Sequence, residues 1–432
     1  MEKRRVVITG AGLVTPAGLS LEDNWEKMAA GQTAISRIDA FDVSHFPVKL
    51  GGKVRAFDPN QYVGKRRNLR FMMNDVQYCL AAVKLACEDG SLDPAAVDPS
   101  EIGLYVGSGE SEARYDRFFR AVGQSLNEDG SINYKKFGSL GLRSIYPSFV
   151  LLDLGNNGLC YSSIEHGFMG INCNFSCGAS AGIAIGEAFK AVQTGEADVV
   201  IAGGHDSLVS CFENYFHYQA TNMVTREQDP EKGMKPYSAS RDGFVLSEGA
   251  GVVILEELEH ALARNSAIRG EVLGYSCNCD TNDDLLPPDP EGEGVFYAMR
   301  AALKDSGVDA SQIDYINSEG NATPTGDMGE TRAFKRLFGT RCYDTPVSSI
   351  KPVVGYLGAA SSAVDFVVSL LAMEKGIIPP TLNCTGGDPE CDLDYVPGGS
   401  RKKQMAHVMS VNKGWGGQNC VFVLKNYKKL FL

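Results

Sequence analysis

Apolar runs of strand length alternate with amphipathic helical stretches along nearly all of this 432-residue chain, and the alternation starts over past its middle. Val6-Val-Ile-Thr precedes the amphipathic stretch Leu21 to Ala30, Asp75 to Asp89 carries helical apolar spacing with Gly90 as a stop, and Ile102-Gly-Leu-Tyr-Val-Gly reads as a buried strand. Residues 181–195 read as a helix feeding the strand Asp198-Val-Val-Ile-Ala-Gly-Gly, and Gly251-Val-Val-Ile-Leu-Glu as another central strand. The cycle then repeats. Strand Glu271-Val-Leu-Gly-Tyr leads to a helix over Gly294–Ser306, strand Ile313-Asp-Tyr-Ile-Asn to a helix over Asp327–Phe338, and Val347-Ser-Ser-Ile to an apolar helix over Ser361–Met373. His407-Val-Met-Ser-Val and Cys420-Val-Phe-Val-Leu close the chain as strands. Alternation of this kind requires helices packed on mainly parallel sheets, an α/β chain in two successive halves, 1–260 and 261–432.

Several function classes fall away on composition. Net charge is −12, from 41 basic and 53 acidic side chains, which argues against nucleic acid or an anionic membrane as partner. No apolar run is long enough to span a bilayer. Met-Glu-Lys-Arg-Arg runs straight into the first strand without an apolar h-region, so no signal peptide is expected and the cytoplasm is the expected compartment. The 12 cysteines lack zinc-ligand spacing, Cys277-Asn-Cys279 being too close and without a second pair; they read as reduced, mostly buried small hydrophobes, and no metal is expected. Gly10-Ala-Gly12 lacks the third glycine of a dinucleotide fingerprint, since Leu-Val-Thr-Pro follows, and reads as a tight turn after a buried strand. No cofactor is expected.

One stretch carries most of the functional information: Asn174-Phe-Ser-Cys-Gly-Ala-Ser-Ala-Gly182, followed by Ile185-Gly-Glu-Ala-Phe-Lys-Ala-Val-Gln-Thr-Gly-Glu-Ala-Asp-Val-Val-Ile-Ala-Gly-Gly204. It resembles the active-site segment of the β-ketoacyl-ACP synthases, thiolase-fold condensing enzymes of fatty-acid and polyketide assembly. The resemblance extends over nearly the whole chain. It takes in Val6-Val-Ile-Thr-Gly-Ala-Gly-Leu-Val-Thr-Pro-Ala-Gly, Pro236-Tyr-Ser-Ala-Ser-Arg-Asp-Gly-Phe-Val-Leu-Ser-Glu-Gly-Ala-Gly251, Thr323-Pro-Thr-Gly-Asp327, Ser348-Ser-Ile-Lys351 and Gly414-Trp-Gly-Gly-Gln-Asn419. It implies the thiolase fold, a duplicated five-layer αβαβα arrangement with mainly parallel sheets.

The same resemblance shows what is missing. In the family a nucleophilic Cys sits seven residues before the Ile-Gly pair, at the N-terminus of a helix; here that position is Gly178, and Cys177 comes one residue early. On a helix, one residue is about 100° of rotation and 1.5 Å of rise, so that thiol would point elsewhere. Condensation also needs two imidazoles to assist decarboxylation and stabilise the enolate. The family supplies them from His-Gly-Thr-Gly-Thr-Pro and Lys-x-x-x-Gly-His, which here read Glu319-Gly-Asn-Ala-Thr-Pro324 and Lys351-Pro-Val-Val-Gly-Tyr356. The six histidines are His45, His166, His205, His217, His260 and His407, none of them in either motif. An anionic Glu319 would repel a developing enolate, and the Tyr356 phenol offers one hydrogen bond. The family's phenylalanine gate beside the nucleophile is replaced by Lys413. Lys351 is retained. Because these loops meet in the family, Glu319 is expected to pair with Lys413 or Lys351, directly or through water; the alternative is that both point to solvent.

The resemblance therefore implies a chain-length factor, the subunit of type II polyketide or polyene synthases that lacks the triad, pairs as a heterodimer with an active ketosynthase and walls the tunnel of the growing acyl chain. Tyr115, Phe118, Phe119, Tyr146 and Phe149, in the insertion between Tyr105 and Phe168, are candidate tunnel residues, with ordinary core packing as the alternative. Lys65, Arg66, Arg67 and Arg70 form a basic cluster suited to an acidic acyl carrier protein, with a solvated turn as the alternative. The competing function is an active β-ketoacyl-ACP synthase using Cys177.

Overall fold

Every residue of Val6–Val14 is buried, as a strand covered by helices on both faces must be. The computed structural model describes residues 3–109, 115–281 and 288–427, the side chains of 115–117 excepted. The first half contributes β1 (Val6–Val14), β2 (Ile102–Ser108), β3 (Asn172–Ser176), β4 (Val199–Ser207) and β5 (Glu248–Glu257). The second contributes β6 (Gly270–Cys279), β7 (Tyr315–Asn317), β8 (Val347–Ser348), β9 (His407–Lys413) and β10 (Gln418–Lys425). All ten lie in one ladder ordered β3-β2-β4-β5-β1-β6-β10-β9-β7-β8.

That order is a duplication. Each half runs third, second, fourth, fifth, first, counted from its own first strand. In the first half β2 pairs in parallel with β3 and β4, and β5 runs antiparallel to β4 and β1. In the second, β7 pairs in parallel with β8 and β9, and β10 runs antiparallel to β9 and β6. Only the fifth strand of each half is reversed, so the strands are mainly parallel in direction. The halves join where Val6–Ile8 of β1 meets Gly270–Val272 of β6.

Five helices complete the layers: α1 (Asn74–Asp89), α2 (Ser180–Thr194), α3 (Glu293–Ser306), α4 (Pro324–Phe338) and α5 (Ser361–Lys375). α1 covers the outer face of β1, β4 and β5, while α3 packs on β6 and β10 and against α4. α2 and α5 pack on each other between the half-sheets, where Ile185, Phe189, Val364 and Val368 share one core. The succession helix–sheet–helix–sheet–helix is the five-layer arrangement. α5 buries 13 of its 15 residues, as a helix apolar on all sides must.

Gly10 and Gly12 do not form the tight turn expected of them; β1 continues through both to Val14. A Cβ at Gly12 would lie 2.1 Å from the Ala82 carbonyl oxygen, and one at Gly10 2.4 Å from that of Ala86. These glycines let α1 lie close on the strand. The cysteines are free, but only half are buried, and Cys277 and Cys279 are exposed. Among the described residues no helix is long and apolar enough to cross a membrane. Helix Phe212–Gln219 and the short helices between Tyr115 and His166 were not foreseen, their exposed apolar residues masking the core-facing period.

Candidate functional site

The loops that follow the parallel strands converge at one end of the two half-sheets, where open α/β sheets form their crevices. β3 ends at Ser176 and delivers Cys177 and Gly178; β7 delivers Glu319; β8 delivers Lys351; and the β9–β10 turn delivers Lys413 to Gln418. The four segments are hydrogen-bonded to one another.

Cys177 and Gly178 both adopt left-handed backbone conformations, with φ of 63° and 55°, and α2 begins only at Ser180. The helical offset expected between them therefore does not apply, because neither residue is helical. The Cys177 N–H donates to the Ser108 carbonyl at 2.8 Å. A Cβ at position 178 would lie 2.2 Å from Oε1 of Gln418, 2.8 Å from its Cδ and 3.0 Å from the Trp415 backbone oxygen, so a side chain there requires the Gln418 side chain to move. Gln418 Oε1 accepts the Ala179 N–H at 3.0 Å, which satisfies one of the unpaired donors at the start of α2. The turn comes in equally close at Gly414, where a Cβ would sit 2.2 Å from the Ala179 nitrogen.

The expected ion pair is present. Lys351, with no exposed side-chain surface, places Nζ 3.3 Å from Glu319 Oε2 and 2.7 Å from Asp365 Oδ2. Burial opposes the Lys351 charge, but the carboxylates of Asp365 and Glu319 outweigh it and hold the amine above its ordinary value. Asp365 is displaced upward, by burial first, with Lys351 opposing and the charges of Glu319 and Glu330 adding. Glu330 is displaced upward as well, again by burial first; its oxygens accept the N–H groups of Glu319 at 2.8 Å and Gly320 at 3.1 Å and the Tyr237 hydroxyl at 2.7 Å. Two buried carboxyl groups thus flank one amine, and a third, Glu330, holds the backbone of Glu319.

Lys413 behaves differently from expectation. Its backbone N–H, not its amine, reaches Glu319, donating to Oε2 at 3.1 Å. The amine turns away to Asp280, 3.4 Å from Oδ2, in a pair with almost no exposure. Asp280 also receives Asn419 Nδ2 at 2.7 Å, and its own N–H donates to the Gly417 carbonyl at 2.7 Å. Tyr356 is buried against Phe244 at 4.6 Å between ring centroids, and burial first, then the Glu319 charge, raises its phenol far above the ordinary value. The side chain nearest to a gate is Trp415, two residues beyond Lys413, packed edge-on against Tyr218 at 5.0 Å and Phe244 at 5.9 Å.

Family models match both halves: "Beta-ketoacyl synthase, N-terminal domain" over residues 3–261 and its C-terminal counterpart over 269–385. The chain belongs to the β-ketoacyl synthase family. It is 35% identical over 429 residues to the 3-oxoacyl-[acyl-carrier-protein] synthase 2 of Synechocystis sp., spanning 99% of both chains, and 35% identical over 425 residues to that of Coxiella burnetii, spanning 98% of this chain and 99% of the other. Its fold superposes on the ishigamide ketosynthase/chain length factor with a TM-score of 0.86 at 26% identity, covering 98% of this chain and 100% of that one. A β-ketoacyl synthase from Burkholderia phymatum superposes equally well, with a TM-score of 0.86 at 28% identity over 98% and 99% of the two chains. The thiolase fold follows from these matches.

The other ketosynthase-type candidates lie away from this centre. Phe118 and Tyr146 are each 41% exposed and Phe119 67%, while Phe149 is half-buried with its ring 6.1 Å from that of Phe118; the Tyr115 side chain lies outside the described residues. Phe118, Phe119 and Tyr146 lie on the outer surface of the single chain. Lys65, Arg66, Arg67 and Arg70 are all exposed, on and beside the short helix Arg66–Phe71. Arg70 shares a cleft of about 610 Å³ with Arg143, Ser144, Tyr146 and Leu152, and among the described residues neither arginine has an acidic partner within ion-pair distance. Sequence reasoning missed Asp280, Asp365 and Gln418. The one signal was Asp365, a lone carboxylate inside an apolar helix, which must find a buried partner.

Proposed function

We propose that this chain is a non-catalytic, chain-length-factor type subunit that pairs with an active ketosynthase and shapes the acyl tunnel of a type II polyketide, polyene or fatty-acid-like pathway. The observation that carries this reading is the filled space at Gly178, where the family's nucleophile would stand and the Gln418 amide lies instead. The histidine positions reinforce it. Glu319 is committed to Lys351 and to the Lys413 backbone, and Tyr356 keeps its proton, so neither offers a neutral imidazole.

Need for a partner is supported by the surface. Of the eighteen large apolar side chains exposed among the described residues, thirteen lie between Phe118 and Met169. The strand that follows them in the chain, β3, is the terminal strand of the ladder and pairs with β2 on one edge only. Open strand edges and clustered apolar surface mark association sites. The ishigamide relative, whose name couples a ketosynthase with a chain length factor, supports a ketosynthase as that partner. A neighbour sharing 24% identity is described as a type II polyketide synthase acyl-carrier protein in complex with its ketosynthase, which makes an acyl carrier protein and the growing acyl chain the natural ligands to test.

An active condensing enzyme using Cys177 is the alternative, favoured by the synthase names of relatives at 35% identity. Two measurements decide. Tagged chain co-expressed with candidate ketosynthases should co-purify with one of them, and isolated chain incubated with acyl-loaded carrier protein should show no added acyl mass. An acyl thioester on Cys177 with elongation by the isolated chain would overturn the proposal.

A further inference from the structure

Loss of the nucleophile at position 178 has a second half, at position 418. We infer that Gln418 is the closing residue of this pocket: residues 178 and 418 together, not 178 alone, decide whether the site can hold a side chain, a thiol or an acyl thioester. This deepens the non-catalytic proposal but stands on geometry of its own.

Three contacts carry it. The Gln418 side-chain amide oxygen, Oε1, sits 2.2 Å from where any β-carbon on residue 178 would stand, a distance that real side chains do not reach. That oxygen is held there by the Ala179 N–H at 3.0 Å, so it cannot swing aside without leaving a backbone donor at the start of α2 unpaired. The backbone that presents Gln418 is fixed on both sides. Asn419 is tied to Asp280 at 2.7 Å, the Gly414 N–H donates to the Gln418 carbonyl at 2.8 Å, and Gly414 itself lies on the Gly178–Ala179 peptide. A thiol restored at 178 would need the glutamine amide, the Ala179 cap and the turn to move together. Gly178 in turn allows Gln418 its place, having no β-carbon and adopting φ of 55° without cost. The two residues are complementary.

The first test is a double-mutant cycle on stability, with Gly178→Ala and Gln418→Ala, alone and combined. Gly178→Ala alone brings the overlap with Gln418, a close approach of 3.0 Å to the Trp415 backbone oxygen and the left-handed strain; with Gln418→Ala the first is removed and the other two remain. The fall in Tm caused by Gly178→Ala is expected to shrink by at least about half when Gln418 is already alanine. Strictly additive effects would overturn the inference. The second test is chemical, in a Cys177→Ser background so that the neighbouring thiol does not report. Iodoacetamide labelling of Gly178→Cys, mapped by peptide mass, should be on the order of tenfold faster once Gln418→Gly is added, because labelling of the single variant must await opening of the turn. Here the thiolate sulfur displaces iodide from the reagent's methylene carbon. Equal rates in the two variants would also overturn it. If instead the wild-type chain proves to be acylated on Cys177, the non-catalytic reading fails while the 178–418 coupling is still decided by the cycle.

Discussion

The converging loops at the sheet ends and the exposed apolar stretch from Phe118 to Met169 are opposite answers to one problem. Both regions carry groups in surroundings that do not suit them alone, charges taken out of water in the first and apolar side chains left in water in the second. The loops satisfy theirs internally: Lys351 is held between Glu319 and Asp365, Lys413 beside Asp280, and Gln418 against the bare backbone of Gly178. The stretch leaves its own exposed, with Val150 at 67% and Met169 at 75%. On the proposed reading, a pocket filled from within and an apolar surface left open belong to a chain that works through a partner.

The largest expected effect tests the open side of that contrast. Replacing Val150 and Leu151 together by Asp should weaken association with a ketosynthase partner by about ten-thousandfold or more in a quantitative binding assay, since two unpaired charges would enter a desolvated apolar contact. The Tm of the isolated chain should hardly change. Unaltered binding would break the contrast at its open end.

Lys351→Met tests the closed side. It leaves Glu319 and Asp365 buried without their cation, and unfolding by urea should show a loss of about 3–5 kcal/mol. A loss near zero would mean that the carboxyl groups simply take up protons, and that the pair does not hold the loops. Next in size is a pH effect from Asp327, which accepts the Tyr237 N–H at 2.7 Å and the Ala322 N–H at 3.1 Å. Burial, the main cause, pushes its carboxyl from 3.8 up to about 7. Between those values the folded chain keeps a proton that the unfolded chain releases, so this contribution is full below the unfolded value and is lost as pH rises through about 7. Urea midpoints should therefore fall from about pH 5 to about pH 8, and Asp327→Asn should flatten the decline.

The smallest effect belongs to the basic surface. Arg70→Glu with Arg143→Glu should lower carrier-protein affinity only severalfold, more at low salt than at high, because exposed charges steer association more than they hold it. No change in titrations at low ionic strength would leave the Arg70 cluster as a solvated turn.

Much of the architecture was legible in the order of residues. The helix limits Leu21–Ala30 and Asp75–Asp89 with its Gly90 stop emerged within a residue, because apolar spacing and caps are local signals. Glu319 and Tyr356 stand in motifs that run without gaps, and the Glu319–Lys351 pair followed from the cost of leaving either charge buried alone. The partner of Lys413 was not legible, since Asp280 stands 133 positions earlier in sequence on the end of another strand. Nor was the surface position of Phe119 and Tyr146, because an aromatic residue looks alike in a core and at an uncovered interface.

Taken alone, the sequence pointed to a duplicated α/β chain resembling the β-ketoacyl synthases, with Gly178, Glu319 and Tyr356 read at the positions expected for the nucleophile and the two imidazoles. Only the tertiary structure decided what those positions became. Gln418 meets Ala179 across 239 residues, and Lys413 meets Glu319 across 94. Periodicity and capping act over a few residues and can be read in order along the chain, whereas which buried group partners which depends on loops that meet only after both half-sheets have closed.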